Sequence, residues 1–298
     1  MSDRFAPVAG MRAGEALRLL AGAFRAAGLA TPALDARVLL LEVLRIGHAA
    51  LIAAPERPLT DEEAARLSGF VARRLSGEPV SRILGRREFY GRDFCITPDV
   101  LDPRPDTEIL VEAALEMVRR RDPSGAGLFL LDAGSGSGAV IVTLLAELPQ
   151  ARGVALDISA AALAVTLENA RMHGVRDRLL AVCGSWLDPF VEEAFDLIVS
   201  NPPYIPDTDV AGLDREVAGY DPHLALAGGA DGLDAYRMLT LRAASVLRNG
   251  GHLIVEVGIG QVEDVRALFA GAGLAGGDGP WVRHDLAGVP RVVVAEKG

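Results

Sequence analysis

From residue 128 onward the chain alternates short apolar, β-branched runs with segments of helical periodicity, and few folds accommodate that alternation. Strands are expected at 128–131, 153–156, 179–182, 195–199 and 252–257, with helices at 139–148, 160–173, 233–247 and 261–270. Strands that alternate with helices imply a parallel sheet covered on both faces. Two closing strands, 281–286 and 291–295, flank a short Gly288-Val289-Pro290 turn, so an antiparallel hairpin is expected at one edge. The expected class is α/β, a mostly parallel sheet with an antiparallel edge hairpin.

One of these strands ends for a covalent reason. The run Phe195-Asp196-Leu197-Ile198-Val199-Ser200 stops at Asn201-Pro202-Pro203-Tyr204. Neither proline has an N–H for a ladder, and Pro203 keeps Pro202 out of the α region. The backbone is therefore stiff and extended at the strand's carboxyl end, where open α/β sheets bind ligands. There the Asn201 side chain and the Pro202 carbonyl form a fixed acceptor pair for one planar NH2 group, beside the aromatic face of Tyr204. Pro-Pro alone fits an ordinary turn with a surface tyrosine. A glycine-rich loop upstream argues for a ligand site instead.

That loop, Asp132-Ala133-Gly134-Ser135-Gly136-Ser137-Gly138, joins the first strand of the alternation to its helix. Glycines let the backbone turn sharply and approach a ligand. Free N–H groups at the helix start suit an anionic group. Asp157 closes the second strand, where a carboxylate can accept from both ribose hydroxyls of an adenine nucleoside. Trp186, after the third strand, offers an indole near where adenine would lie, although a core tryptophan fits the same pattern. Two cofactor classes stay open, because Gly134-x-Gly136-x-x-Ala139 also satisfies the relaxed dinucleotide fingerprint of NAD-dependent oxidoreductases. Against that class, Asp132 suits a cofactor bearing an ammonium group, and Asn-Pro-Pro-Tyr gives hydride transfer no evident acid or base.

Ahead of the sheet the texture is helical. Residues 13–28 carry Leu17, Leu19, Leu20, Phe24 and Ala27 on roughly one helical face, with Gly28 as a stop. Thr31-Pro32 reads as an N-cap with proline at the first helical position, and Thr60 with Glu63 as a capping box. A small helical domain is expected over residues 1–77, with no catalytic constellation; its His48 reads as an ordinary residue. Residues 88–90 and 94–96 suggest two short strands around Gly91, and Pro103-Arg104-Pro105 holds an extended segment that carries Arg104. The expected division is 1–77 helical, 78–105 hairpin linker and 106–298 catalytic. A net charge of −10 over 298 residues argues against a broad nucleic-acid footprint. Cys95 and Cys183 stand far apart with no metal-ligand spacing, so no metal is expected, and a reducing cytoplasm fits. Arg12, Arg18 and Arg25 interrupt any signal-peptide core, and no run approaches a membrane span.

Together these segments resemble the class I S-adenosylmethionine-dependent methyltransferases. More narrowly, the chain is similar to the HemK/PrmC family, the protein-glutamine N5-methyltransferases of peptide chain release factors. The resemblance runs over nearly the whole chain. It rests on Gly85-Arg86-Arg87-Glu88-Phe89, on Pro103-Arg104-Pro105-Asp106-Thr107-Glu108, on the 132–138 loop, on Ser200 to Tyr204, and on Leu224-Ala225-Leu226 with Gly228-Gly229-Ala230-Asp231-Gly232-Leu233. It departs from the family pattern at Asp102, where an aliphatic residue is frequent, and at Arg82, where a tyrosine is common.

The resemblance implies a Rossmann-like class I methyltransferase sheet and S-adenosyl-L-methionine as cofactor. The implied acceptor is the side-chain amide of the glutamine in a release factor's Gly-Gly-Gln motif. Asn201, Pro202 and Tyr204 are then the catalytic residues, and Pro203 and Arg104 join them in binding substrate. Asp132, Gly134, Ser135, Gly136, Ser137, Gly138, Asp157, Trp186 and Asn201 bind the cofactor. The N-terminal helices are implied to recognise the folded release factor, with no membrane or nucleic-acid partner. Asn-Pro-Pro-Tyr is also shared with adenine and guanine amino-methyltransferases, which leaves nucleic-acid methylation as the competing activity. A nucleotide-binding module without catalysis is the competitor outside enzymes.

Overall fold

The structure is a computed structural model and describes residues 7–121, 124–275 and 282–298. The chain divides into two units, Met1–Gly85 and Arg86–Gly298. The first is helical: α1 (Ala13–Ala26), α2 (Pro32–Leu44), α3 (His48–Ala53), α4 (Asp61–Leu75) and α5 (Val80–Leu84). Leu20, Phe24, Leu39, Leu40 and Leu67 form its core. The Thr60–Glu63 capping box opens α4 as expected. Thr31 precedes α2, but its hydroxyl donates to Asp35 Oδ1 at 2.7 Å and caps no backbone N–H. Asp35 also holds Arg74 at 2.7 Å in a buried ion pair, and a hydroxyl donor helps to satisfy that carboxylate. Residues 80–84, expected in the linker, are helical and belong to this unit.

The second unit opens with a hairpin, β1 (Arg86–Phe89) and β2 (Arg92–Cys95), then α6 (Glu108–Arg121). The alternation follows: β3 (Phe129–Ala133), α7 (Ala139–Glu147), β4 (Arg152–Asp157), α8 (Ala160–Met172), β5 (Leu179–Cys183) and β6 (Phe195–Ser200). Two short helices, α9 (Asp207–Val210) and α10 (Arg215–Ala218), interrupt the long loop. The unit ends with α11 (Asp234–Val246), β7 (Leu247–Glu256), α12 (Val262–Gly271), β8 (Leu274–Ala275), β9 (Val282–His284) and β10 (Pro290–Lys297).

The sheet runs β5-β4-β3-β6-β7-β10-β8, with β9 also paired to β10. β3 to β7 are mutually parallel, and β10 is antiparallel to β7, β8 and β9. The fold is thus an α/β class I methyltransferase sheet, mostly parallel, in a chain that also carries an N-terminal helical unit. The expected closing pair is present as β9 and β10, though Trp281 lies outside the described residues. β10 does not simply hang on the edge. It lies between β7 and β8, a two-residue strand too short to leave a periodic signal.

Both faces of the strands are apolar because both are covered. Leu130, Leu197 and Ile254 pack with Leu110, Leu144 and Ala170 of α6, α7 and α8. Their neighbours Leu131, Ile198 and Leu253 face the other way, onto Tyr236, Leu239 and Phe269 of α11 and α12. Chain order reverses at β3, which has β4 on one side and β6 on the other. The carboxyl ends at such a switch point open into a crevice. No described helix is long and apolar enough to cross a membrane.

Candidate active site

A cavity of about 540 Å³ lies at the carboxyl ends of β3, β4 and β6, within the range of small-ligand sites. Asp132, Ser135, Asp157, Trp186, Asn201 and Pro203 are among its walls. The structure thus brings together the acid before the glycine loop, the loop, the ribose-type acid, the indole and the start of Asn-Pro-Pro-Tyr.

The glycine loop is held mainly by its own strands. Gly134 and Ser135 N–H both donate to the Leu156 carbonyl, at 2.8 and 3.0 Å, and Gly138 N–H donates to the Ser135 carbonyl at 2.7 Å. Gly136 N–H donates to Asp157 Oδ2 at 2.9 Å. Four of the loop's N–H groups are thus taken up within the protein, and these four are not among the N–H groups at the start of α7. The loop crosses the end of β4, whose groups take up its donors. Gly138, at φ +78°, starts α7 where a Cβ would lie 2.7 Å from the Thr166 methyl of α8. Only glycine fits that turn and that approach.

Asp157 accepts Ser159 N–H through Oδ1 at 2.9 Å as well as Gly136 N–H through Oδ2. Each oxygen retains a lone pair for a further donor. Asp132 is buried, and its Oδ2 accepts Ile141 N–H at a long 3.3 Å. Burial, with Asp157 adding like charge, pushes its pKa up to about 7. Trp186 is half-buried and adopts φ 45°, an uncommon conformation for a bulky residue and typical of ligand sites.

At the end of β6 the Ser200 hydroxyl donates to the Ala133 carbonyl at 2.6 Å, tying the strand to β3. Asn201 Nδ2 donates to Thr107 Oγ1 at 3.1 Å. Pro202 is buried behind the cavity wall, which Asn201 and Pro203 form. Tyr204 is not part of that wall. Its ring packs into the core under α11 and α12, and its hydroxyl donates to Glu256 Oε1 at 3.4 Å. Burial first, then the Glu256 carboxyl, push the phenol's pKa well above its ordinary value. Gln261 Nε2 donates to the Tyr204 carbonyl at 2.9 Å and fixes the backbone there.

Arg104 lies outside the cavity wall. It donates to Asp221 Oδ2 at 2.6 Å, and Asp221 Oδ1 accepts Asp102 N–H at 3.3 Å. The Pro-Arg-Pro segment is thereby strapped to the long loop after β6. Asp102, the departure from the family pattern, is buried there, 3.7 Å from Arg87.

Several supporting residues escaped the sequence reading: Glu256, Gln261, Asp221 and Asn169. Asn169 is fully buried in α8, accepts Cys95 N–H at 2.8 Å and donates to the Ser137 carbonyl at 2.8 Å, joining hairpin and glycine loop. For Asn169 and Glu256 the signal was a polar side chain on an otherwise apolar element; Asp221 and Gln261 lie outside the helices and strands and left none. Among the described residues, no group of three or more His, Cys, Asp or Glu could hold a metal ion.

Known proteins match along both units. The PrmC N-terminal domain family matches residues 15–85, and the methyltransferase small domain family matches residues 107–213. The release factor glutamine methyltransferase of Bradyrhizobium diazoefficiens is 45% identical over 291 residues, covering 98% of this chain and 97% of that protein. Those of Rhodospirillum rubrum and Cereibacter sphaeroides are each 46% identical, over 93% and 96% of this chain and 83% and 98% of theirs. With such identity over nearly full length, and with the cavity built as described, this chain belongs to the release factor glutamine methyltransferase family.

Proposed function

We propose that this chain transfers the methyl group of S-adenosylmethionine to the side-chain amide nitrogen of the glutamine in the Gly-Gly-Gln motif of peptide chain release factors. The observation that carries this is the Asn201 amide. Its NH2 is engaged by Thr107, so its oxygen is the group left to accept a donor at the cavity, beside the glycine loop.

The cavity's residues fit the cofactor. Among the described residues no cation pairs with buried Asp132, which would receive an ammonium group; Asp157 keeps lone pairs for paired hydroxyls, and Trp186 offers a flat apolar face. Gly134, Ser135, Gly136, Ser137 and Gly138 bring the backbone close to the same ligand. S-adenosylmethionine, when bound, supplies an electrophilic methyl group on a sulfonium.

An amide nitrogen is a poor nucleophile because its lone pair is delocalised into the carbonyl. The Asn201 oxygen and the Pro202 carbonyl accept its two N–H groups, hold the nitrogen in line with the methyl and raise its electron density; the N–C bond would form as the S–C bond breaks, and one of the two amide protons would then leave to water. Positioning of this kind supplies ~7–11 kcal/mol in favourable cases. Pro203 walls the acceptor side. Tyr204, held by Glu256 and Gln261, keeps the two prolines rigid. Arg104 serves the substrate through the loop it fastens with Asp221. The helical N-terminal residues, which match the family's own N-terminal domain, recognise the folded release factor.

The test is incubation with donor carrying a labelled methyl, offering purified release factor, DNA and ribosomal RNA side by side. Label is expected in release factor alone. Label in nucleic acid with release factor blank would assign the chain to the base amino-methyltransferases.

A further inference from the structure

The glycine loop has a second support, from the helix beside it. The buried residues of α8 are Ala162, Leu163, Val165 and Ala170, and with them the polar pair Thr166 and Asn169. The pair stands three residues apart on one face of the helix, and both side chains are fully buried. A helical threonine can give its proton to a carbonyl of its own preceding turn. Thr166 donates instead to the Gly136 carbonyl at 2.9 Å. Asn169 donates to the Ser137 carbonyl at 2.8 Å and to the Cys95 carbonyl at 3.0 Å, and accepts Cys95 N–H at 2.8 Å. Two successive carbonyls of the loop are thus held from α8.

A trans peptide is planar, with its N–H directed opposite its C=O. Each held carbonyl therefore aims the next N–H away from its α8 partner. In the 137–138 peptide that group is Gly138 N–H, which closes the turn on the Ser135 carbonyl at 2.7 Å. In the 136–137 peptide it is Ser137 N–H, which has no hydrogen-bond acceptor among the described residues. Ser137 is a buried residue that lines the cavity. An N–H without an acceptor is rare at a buried residue, and this one borders a ligand-sized space. The same helix carries another wall of that space. Ile96 and Val100 pack with Ala162 and Val165, and residues 98–101 line the cavity.

Asp132 and Asp157 are matched to the ammonium and the ribose of the proposed donor, which leaves its carboxylate without a partner. Ammonium and carboxylate share one carbon, and Asp132 and Ser137 belong to one short loop. We propose that Thr166 and Asn169 are positioning residues that turn Ser137 N–H toward the carboxylate of the methyl donor. The proposal rests on S-adenosylmethionine as the ligand of the cavity and extends that reading to two side chains outside the cavity wall.

The experiment compares S-adenosylmethionine with its decarboxylated form, which keeps the ammonium, the sulfonium and the adenosine. Both are titrated at pH 8 into wild type, T166V, T166S and N169A. Valine keeps the shape of Thr166 and removes its donor, whereas serine keeps the donor. In T166V the Kd for S-adenosylmethionine should rise about tenfold, as expected for losing a hydrogen bond to a charged group. The Kd for the decarboxylated form should change less than twofold. T166S should bind both ligands as wild type does. N169A should discriminate as T166V does, and T166V carries the test alone where N169A fails to fold.

A second readout follows the loop itself. With 13C at glycine carbonyls and 15N in serine, only the peptide bonds 134–135, 136–137 and 184–185 give a signal, and its loss in S137A identifies the second. S-adenosylmethionine should shift that signal in wild type and T166S, and the decarboxylated form should shift it far less. Equal weakening of both ligands in T166V, or unchanged binding of both, makes Thr166 a packing residue and overturns the proposal while the donor reading stands. A wild type that binds neither ligand removes the donor reading, and the proposal with it.

Discussion

Replacing Asp132 with asparagine should make the protein more stable and a poorer binder of donor. The Asp132 carboxyl is raised from an ordinary 3.8 to about 7, chiefly by burial. For a raised carboxyl, the favourable contribution is complete below the unfolded value and is lost as pH climbs through the folded value. Above pH 7 the ionised side chain therefore costs on the order of 4 kcal/mol. Asparagine keeps the acceptor for Ile141 N–H and never ionises. At pH 8 the variant should gain up to about 4 kcal/mol, which at ~2–4 °C per kcal/mol for a unit of this size is a rise of roughly 8–16 °C in Tm. At pH 5 the gain should fall to a little over a third of that, about 1.6 kcal/mol, because most of the ionisation cost is then absent. Donor binding should move the other way. Losing a charged hydrogen-bond partner costs about 1.5–3 kcal/mol, a weakening of roughly 10- to 150-fold. In wild type the affinity for a donor bearing an ammonium group should fall about tenfold per pH unit below 7, and in the variant it should be flat. Calorimetric scans and titrations with S-adenosylhomocysteine at pH 5, 6 and 8 read both effects. An unchanged Tm at pH 8, or unaltered donor affinity, would refute the assignment of Asp132 as the ammonium partner.

Asp157→Ala should weaken donor binding tenfold or more by titration, since the carboxylate holds Gly136 N–H and offers its remaining lone pairs to the ligand. Asn201→Ala should leave donor Kd nearly unchanged and lower single-turnover transfer about 10²–10³-fold. Asn201→Asp should retain more activity than alanine, because a carboxylate still accepts an amide N–H. Arg104→Ala should loosen the segment after β6, seen as faster limited proteolysis within residues 205–230, with donor Kd unaffected.

Much of the catalytic unit was legible because its signals are local. Covering both faces of the strands makes them continuously apolar, so β3, β4, β6 and β7 stand out as runs, and Pro202 ends β6 by its chemistry alone. Asp132, Asp157 and Trp186 could be placed because the first two lie at the carboxyl ends of β3 and β4 and the third shortly follows β5, all at the ligand-binding edge. What stayed hidden depends on pairing across the chain. Nothing near Glu256 in sequence tells that β7 lies against β6 with Ser200 beside Val255. Arg104 donates to Asp221, 117 residues on, at 2.6 Å, a contact that no local pattern encodes. The phenol of Tyr204 turned into the core for the same reason, since its partner is on another strand. The use of loop N–H groups by the Leu156 carbonyl likewise needs the β3–β4 register, which composition does not encode.

The most direct measurement is tandem mass spectrometry of a release factor after incubation with this protein and S-adenosylmethionine, beside an Asn201→Ala control. One added methyl group is expected on the side-chain nitrogen of the Gly-Gly-Gln glutamine, strongly reduced in the control. An unmodified glutamine, or a methyl group placed on any other residue, would contradict the assigned activity.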